Sequence, residues 1–145
     1  MNGAGVGIAL VAGCAGGIQI AVSGQLGARV GTVAAFAFSV TVSLVVAIVA
    51  LAAARAFSGY GDVFHQPWWL WTGGALGAVV VLAITYAGPR LGTLATIGLI
   101  ISAQLATGAV IDRFGFFGVE RFGLHWPRLF GLVLLAGGAA LVLRR

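Results

Sequence analysis

Side chains able to do chemistry are few in this chain, and most of the charged ones follow one apolar stretch. Asp112, Arg113, Glu120, Arg121 and His125 come directly after the run Leu91 to Ile111, which has no ionisable group. If that run is a helix, Thr93, Thr96, Gln104 and Thr107 share an arc of about 80° with Ile100 and Ile111, and Ser102 points the opposite way. An amide and hydroxyls facing lipid would leave donors unpaired, at about a few kcal/mol each, so this face should meet protein or a wet cavity. Hydrogen bonds between helices, or from Thr to its own i−4 carbonyl, would satisfy the same groups. Asp112 and Arg113 at the helix end are either a coupling or gating pair, or a cap and headgroup-level ion pair.

Enzymatic chemistry finds no footing in the apolar runs. They contain no acid/base pair, no nucleophile beside a His and no phosphate-cradling loop followed by Lys, so neither a catalytic residue nor a cofactor is expected. Cys14 is alone, with no metal-ligand spacing, and reads as a small apolar side chain. His65 and His125 fall in segments rich in aromatic residues, where a solvated or headgroup-level role fits better than a metal or proton relay. No metal site is expected.

The elements that must position these residues follow from composition. Of 145 residues 61% are hydrophobic and only 8% charged, with a mean hydropathy of +1.11. A soluble domain carries about a quarter charged residues, so the fold class is all-α integral membrane. Runs of about twenty apolar residues suffice to cross the hydrocarbon layer. Five spans are expected, at about 3–26, 32–54, 68–87, 91–111 and 128–143, in a single transmembrane domain. The first lacks a basic n-region and reads as a mature helix. Its small face, Gly5, Ala9, Ala12, Gly16, Gln19, Ser23 and Gly27, suits close helix packing in lipid, and the second span repeats the pattern with Thr32, Ala35, Ser39, Ser43 and Ala47. The segment 56–66 reads as a loop, and Gly88-Pro89 as the end of the third span. Trp68, Trp69, Trp71 and Trp126 are expected as interface anchors. The net charge of +5 comes from eight Arg placed singly or in pairs at the ends of apolar runs, which suits headgroups and excludes a basic face for nucleic acid.

A shift of 61 positions lays Arg29, Gly31, Thr32 and Ala34 on Arg90, Gly92, Thr93 and Ala95, and Gly27 on Gly88. Spans 1 and 2 and spans 3 and 4 therefore read as copies of one hairpin. Five spans leave Arg55, Arg113, Arg121 and Arg128 on one side and Arg29, Arg90, Arg144 and Arg145 on the other. Orientation follows the Lys and Arg imbalance, and here it is zero. The chain is thus expected to insert both ways up and to form an antiparallel homodimer, or to pair with a paralogous small membrane protein. Ten helices with an inverted two-fold relation would result, as in many transporters. Gln19, Ser23, Ser39, Ser43, Thr93, Thr96, Gln104 and Thr107 would line the shared solute pathway.

The segments QIAVSGQLG (19–27), PWWLWTGGALG (67–77) and Gln104 to Gly118 with its core IDRFGFFG make the chain resemble the short, five-helix YdcZ-like family of the drug/metabolite transporter superfamily. The resemblance spans nearly the whole chain and implies transport of a small solute, two five-helix chains standing in for ten helices. It departs at Ser23, where the family pattern has Asn, and at Ala103, where it has Gly. Small multidrug exporters of the superfamily carry a Glu in the first helix, whereas no carboxylate falls within the five spans expected here. The function expected is secondary transport of a small polar or amphipathic solute by alternating access. A dual-topology small-ion channel and a non-transporting assembly subunit are the alternatives.

Overall fold

The computed structural model describes residues 3–121, 123 and 126–143, apart from the side chains at 58, 128 and 143. His125, Arg144 and Arg145, which enter the expectations above, lie outside the described residues. The described chain is all-helical: α1 (Gly3–Val30), α2 (Thr32–Ala53), α3 (Phe57–Asp62), α4 (Thr72–Leu91), α5 (Thr93–Phe114) and α6 (Trp126–Leu143), with 3-10 turns at Val63–His65, Trp68–Trp71 and Phe116–Gly118. Among the described residues four helical segments, at Gly3–Val30, Thr32–Ala53, Trp68–Leu91 and Thr93–Phe114, are long and apolar enough to cross a membrane, and Leu129–Val142 within α6 is a shorter apolar helix. The chain divides into two compact units, residues 1–90 and 91–145.

In the first unit α1 and α2 are joined through the single residue Gly31. Its φ of 90° and ψ of 147° are open essentially to glycine alone. Its sequence counterpart Gly92, before α5, has nearly the same backbone, φ 83° and ψ 156°. Each accepts a backbone hydrogen bond at 3.1 Å from the fourth residue on, Ala35 and Thr96 respectively. The two most deeply buried side chains after these turns, Ala35 and Thr96, are again 61 positions apart. Gly31→Ala and Gly92→Ala should each cost about 1–3 kcal/mol from backbone strain, read as a lower unfolding midpoint in detergent, although Gly31 has open space for a methyl group.

Burial in this unit is confined to one end of the helices. Ile20, Ser23, Gly24 and Gly27 of α1, Ala35 of α2, and Ile84, Thr85 and Gly88 of α4 are buried, while the N-terminal half of α1 and the C-terminal half of α2 are exposed. The small face expected along all of α1 is therefore covered only in its last turns. There α1 and α4 cross backbone to backbone. A Cβ at Gly27 would stand 2.9 Å from Thr85 Cγ2 and 3.0 Å from the Thr85 carbonyl oxygen, and one at Gly88 would stand 3.3 Å from the Ile20 carbonyl oxygen and 3.5 Å from Gly24 Cα. The 61-residue shift turns Gly24 into Thr85 and Gly27 into Gly88, so it exchanges the contacts Gly27 to Thr85 and Gly88 to Gly24.

Gly88-Pro89 does not end the third span: α4 runs on to Leu91. Proline in the last turn forfeits one hydrogen bond, the one its N–H would have donated to the carbonyl of Thr85. That carbonyl faces Gly27 instead. The Thr85 hydroxyl donates to the Val81 carbonyl at 2.8 Å. Arg90 stacks 3.6 Å over the Tyr86 ring and donates to the Tyr86 carbonyl at 2.6 Å, a cation serving the negative end of the helix.

Segment 56–66, expected as a loop, is largely helical. Its glycines favour turns locally, but tertiary contacts override that preference: Tyr60, Phe64 and Trp71 form an edge-to-face chain with centroids 6.1 Å apart, and Trp71 Nε1 donates to the Val63 carbonyl at 3.1 Å. Trp68, Trp69, Trp71 and Trp126 are all exposed.

In the second unit α5 and α6 pack against each other, and a Cβ on Gly98 would meet Ala139 Cβ at 3.4 Å. Farther along, Ser102 Oγ donates to the Leu135 carbonyl at 3.5 Å. Ala95, Thr96 and Ala139 form the buried set. α5 extends beyond the expected end at Ile111 and stops at Gly115, whose left-handed φ of 68° lets its N–H close on the Ile111 carbonyl at 2.8 Å.

Candidate functional site

The eight expected pathway residues divide four and four between the two units. In the first, Ser23 is buried near the α1/α4 crossing, Ser39 is half-buried, and Gln19 and Ser43 are exposed. Ser43 donates to the Ser39 carbonyl at 2.9 Å, so its hydroxyl is satisfied within its own helix. Gln19, by contrast, sits on the part of α1 that its own chain leaves bare.

In the second unit Thr96 is 1% exposed and donates to the Gly92 carbonyl at 2.9 Å, which marks it as a packing residue at the turn. Thr93 is half-buried and Thr107 exposed. Gln104 and Asp112 come together. They line one groove of about 380 Å³ between α5 and α6, with Gly108 on the same face and Gly131, Leu132 and Leu135 across from them. The steps 104, 108, 112 are one helical turn each, and the two glycines leave the room. Arg113 lies elsewhere, in a second groove of about 400 Å³ lined also by Ser102, Phe114 and Leu129. Asp112 and Arg113 thus line different grooves. Ser102 and Gln104 fall on different sides of the helix, as their 200° separation requires.

Because α5 continues to Phe114, Asp112 belongs to its last full turn and is half-buried. Sequence reasoning placed it outside the span. The signal for including it was the four-residue spacing from Gln104 through Gly108. Thr85 was also missed: it has no exposed surface and sits at the α1/α4 crossing, and Pro89 four residues on was the clue.

A polar amide and a carboxylate in an otherwise apolar groove at the end of a long apolar helix can hold a small molecule that has both a polar and an apolar part. A family profile described as "Putative inner membrane exporter, YdcZ" matches residues 4–141. The chain belongs to this family. It is accordingly an integral inner-membrane protein, and the description of the family is that of a membrane transporter. Inner membrane protein YdcZ of Escherichia coli (strain K12) is 33% identical over 92 residues, which cover 63% of this chain and 61% of that protein. The match thus spans less than two thirds of the curated relative's length. No solved structure matches.

Proposed function

We propose that this YdcZ-family chain is a secondary transporter of a small polar or amphipathic solute, working by alternating access as an antiparallel homodimer. The observation that carries the reading is the groove shared by Gln104 and Asp112. Such a pair binds through hydrogen bonds and one charge, while Leu132 and Leu135 take up apolar surface. Pairing with an inverted copy is supported by what the single chain leaves uncovered. No more than 11% of any span's most apolar window is buried, and Gln19, Gln104 and Thr107 are exposed on helices that must cross lipid. Polar groups there need protein or water opposite them. Spans 1 and 2 and spans 3 and 4 act in this reading as repeated hairpins turning at Gly31 and Gly92, and Gln19, Ser23, Ser39 and Thr93 complete the pathway.

The test is flux. Everted vesicles from cells overproducing the chain, given a mixture of small polar metabolites together with ethidium, should accumulate at least one of these faster than control vesicles and show counterflow. Fast flux without counterflow would make the protein a channel, and intact dimers with no flux an assembly subunit. Orientation can be forced in the same assay. Gly61→Lys with Gln66→Lys adds positive charge on one side, and a two-lysine extension after Arg145 adds it on the other. Each variant alone should lose flux about tenfold or more, and the two expressed together should recover it.

A further inference from the structure

The wedge between α2 and α3 is not used by the transport reading. It is a cavity of about 600 Å³ lined by Leu44, Ala47, Ile48, Leu51, Phe57 and Tyr60. Its lining is apolar apart from one phenol oxygen. Between α2 and α3 the chain reverses through Arg55, which is held in the left-handed region at φ 52°. Hydrogen bonds from the Arg55 and Ala56 N–H groups to the Ala52 and Leu51 carbonyls, both 3.1 Å, fix this turn. The turn therefore closes the end of the wedge flanked by Leu51 and Phe57. Arg55 is exposed there, and its guanidinium has no partner among the described residues.

Depth follows from the aromatic residues. Tyr60 is the first ring of the chain that continues through Phe64 to Trp71, and Tyr and Trp settle at the headgroup level of a bilayer. The wedge thus runs from the hydrocarbon beside Leu44 toward the turn that carries Arg55, two residues before the lining residue Phe57. An occupant complementary to it has a long apolar body and a negative end.

We propose that this wedge is a binding site for one anionic phospholipid, an acyl chain lying between α2 and α3 and the phosphate meeting Arg55. A neutral lipid fits the groove but leaves the cation unmatched. A free phosphate fits the cation but leaves the groove empty.

The experiment uses the purified full chain in phosphatidylcholine vesicles, with a trace of spin-labelled phosphatidylglycerol or phosphatidylcholine, and reads the motionally restricted fraction. Phosphatidylglycerol should associate about fivefold more strongly than phosphatidylcholine, as one basic residue near the surface provides. Arg55→Gln should bring the ratio below about twofold, Arg55→Lys should restore it, and Arg29→Gln should leave it unchanged. Ala47→Phe, which fills the groove without touching the charge, should lower the ratio as well. Equal association of the two lipids with the unaltered protein would overturn the assignment. So would a preference indifferent to Arg55→Gln and Ala47→Phe, or one removed by millimolar inorganic phosphate.

Discussion

Gly27→Leu should abolish the folded protein in detergent, and Gly27→Ala should lower its stability by about 1–3 kcal/mol, the range for overpacking a filled interface. A methyl group at this position would stand 2.9 Å from Thr85 Cγ2 and 3.0 Å from a backbone carbonyl oxygen. Thr85 could turn its side chain, but the carbonyl moves only with α4. Helices in lipid associate through close packing rather than a hydrophobic drive, so separating α1 from α4 removes contacts that nothing else replaces. Gly5→Ala is the matched control: the same change on the same helix, with nothing within 4 Å, should leave the unfolding midpoint unchanged. A further comparison uses the exchange of contacts under the 61-residue shift. Gly88→Ala should destabilise less than Gly27→Ala, because its nearest neighbour would be 3.3 Å away rather than 2.9 Å.

Gln104→Leu should lower solute flux about tenfold or more with little change in folding. The amide is exposed in the groove, so replacing it removes no packing, and surface changes usually stay within about 0.5 kcal/mol. A solute that hydrogen-bonds the amide would be left with an unpaired polar group, at about 1–3 kcal/mol, which converts to roughly five- to 150-fold. Asp112→Asn keeps the size and the hydrogen-bonding capacity of the side chain but removes the charge. It should therefore depress flux of a cationic solute such as ethidium more than flux of a neutral one. Thr107→Val, outside the groove, should change either flux less than twofold. Uptake by everted vesicles, with unfolding midpoints measured alongside, checks all three.

Much of the architecture could be read from the residues, and the exceptions have physical causes. Apolar runs of about twenty residues leave few alternatives to a helix, so α1, α2 and α5 lie close to where hydropathy puts them. The Arg-x-Gly-Thr-x-Ala match located two turns that share one glycine-only backbone state. Helix ends were less legible. Gly88-Pro89 looks like a stop, yet a proline one turn from the end forfeits only one hydrogen bond, and the stop is set by Gly92. Segment 56–66 reads as a loop from Gly59, Gly61 and Asp62, but rings brought in from Phe64 and Trp71 hold it helical. At the site, Gln104 was found because an amide is rare in an apolar run, and Asp112 was read as a coupling or gating candidate at the helix end, outside the span, because the run was ended one residue too soon. Burial was the least legible property. The small faces of α1 and α2 continue for many turns beyond the part that their own chain covers, and sequence cannot separate a face met by the same chain from one met by another.

The transport proposal depends on one polypeptide facing both ways across the inner membrane. The direct measurement is labelling of Asp62→Cys in a Cys14→Ser background, in intact cells, with a thiol reagent that does not cross the membrane. Asp62 is exposed at the end of α3. Comparable fractions of the protein should be labelled from outside and, after permeabilisation, from inside. Labelling of every copy from a single side would contradict the antiparallel dimer and the pathway built on it.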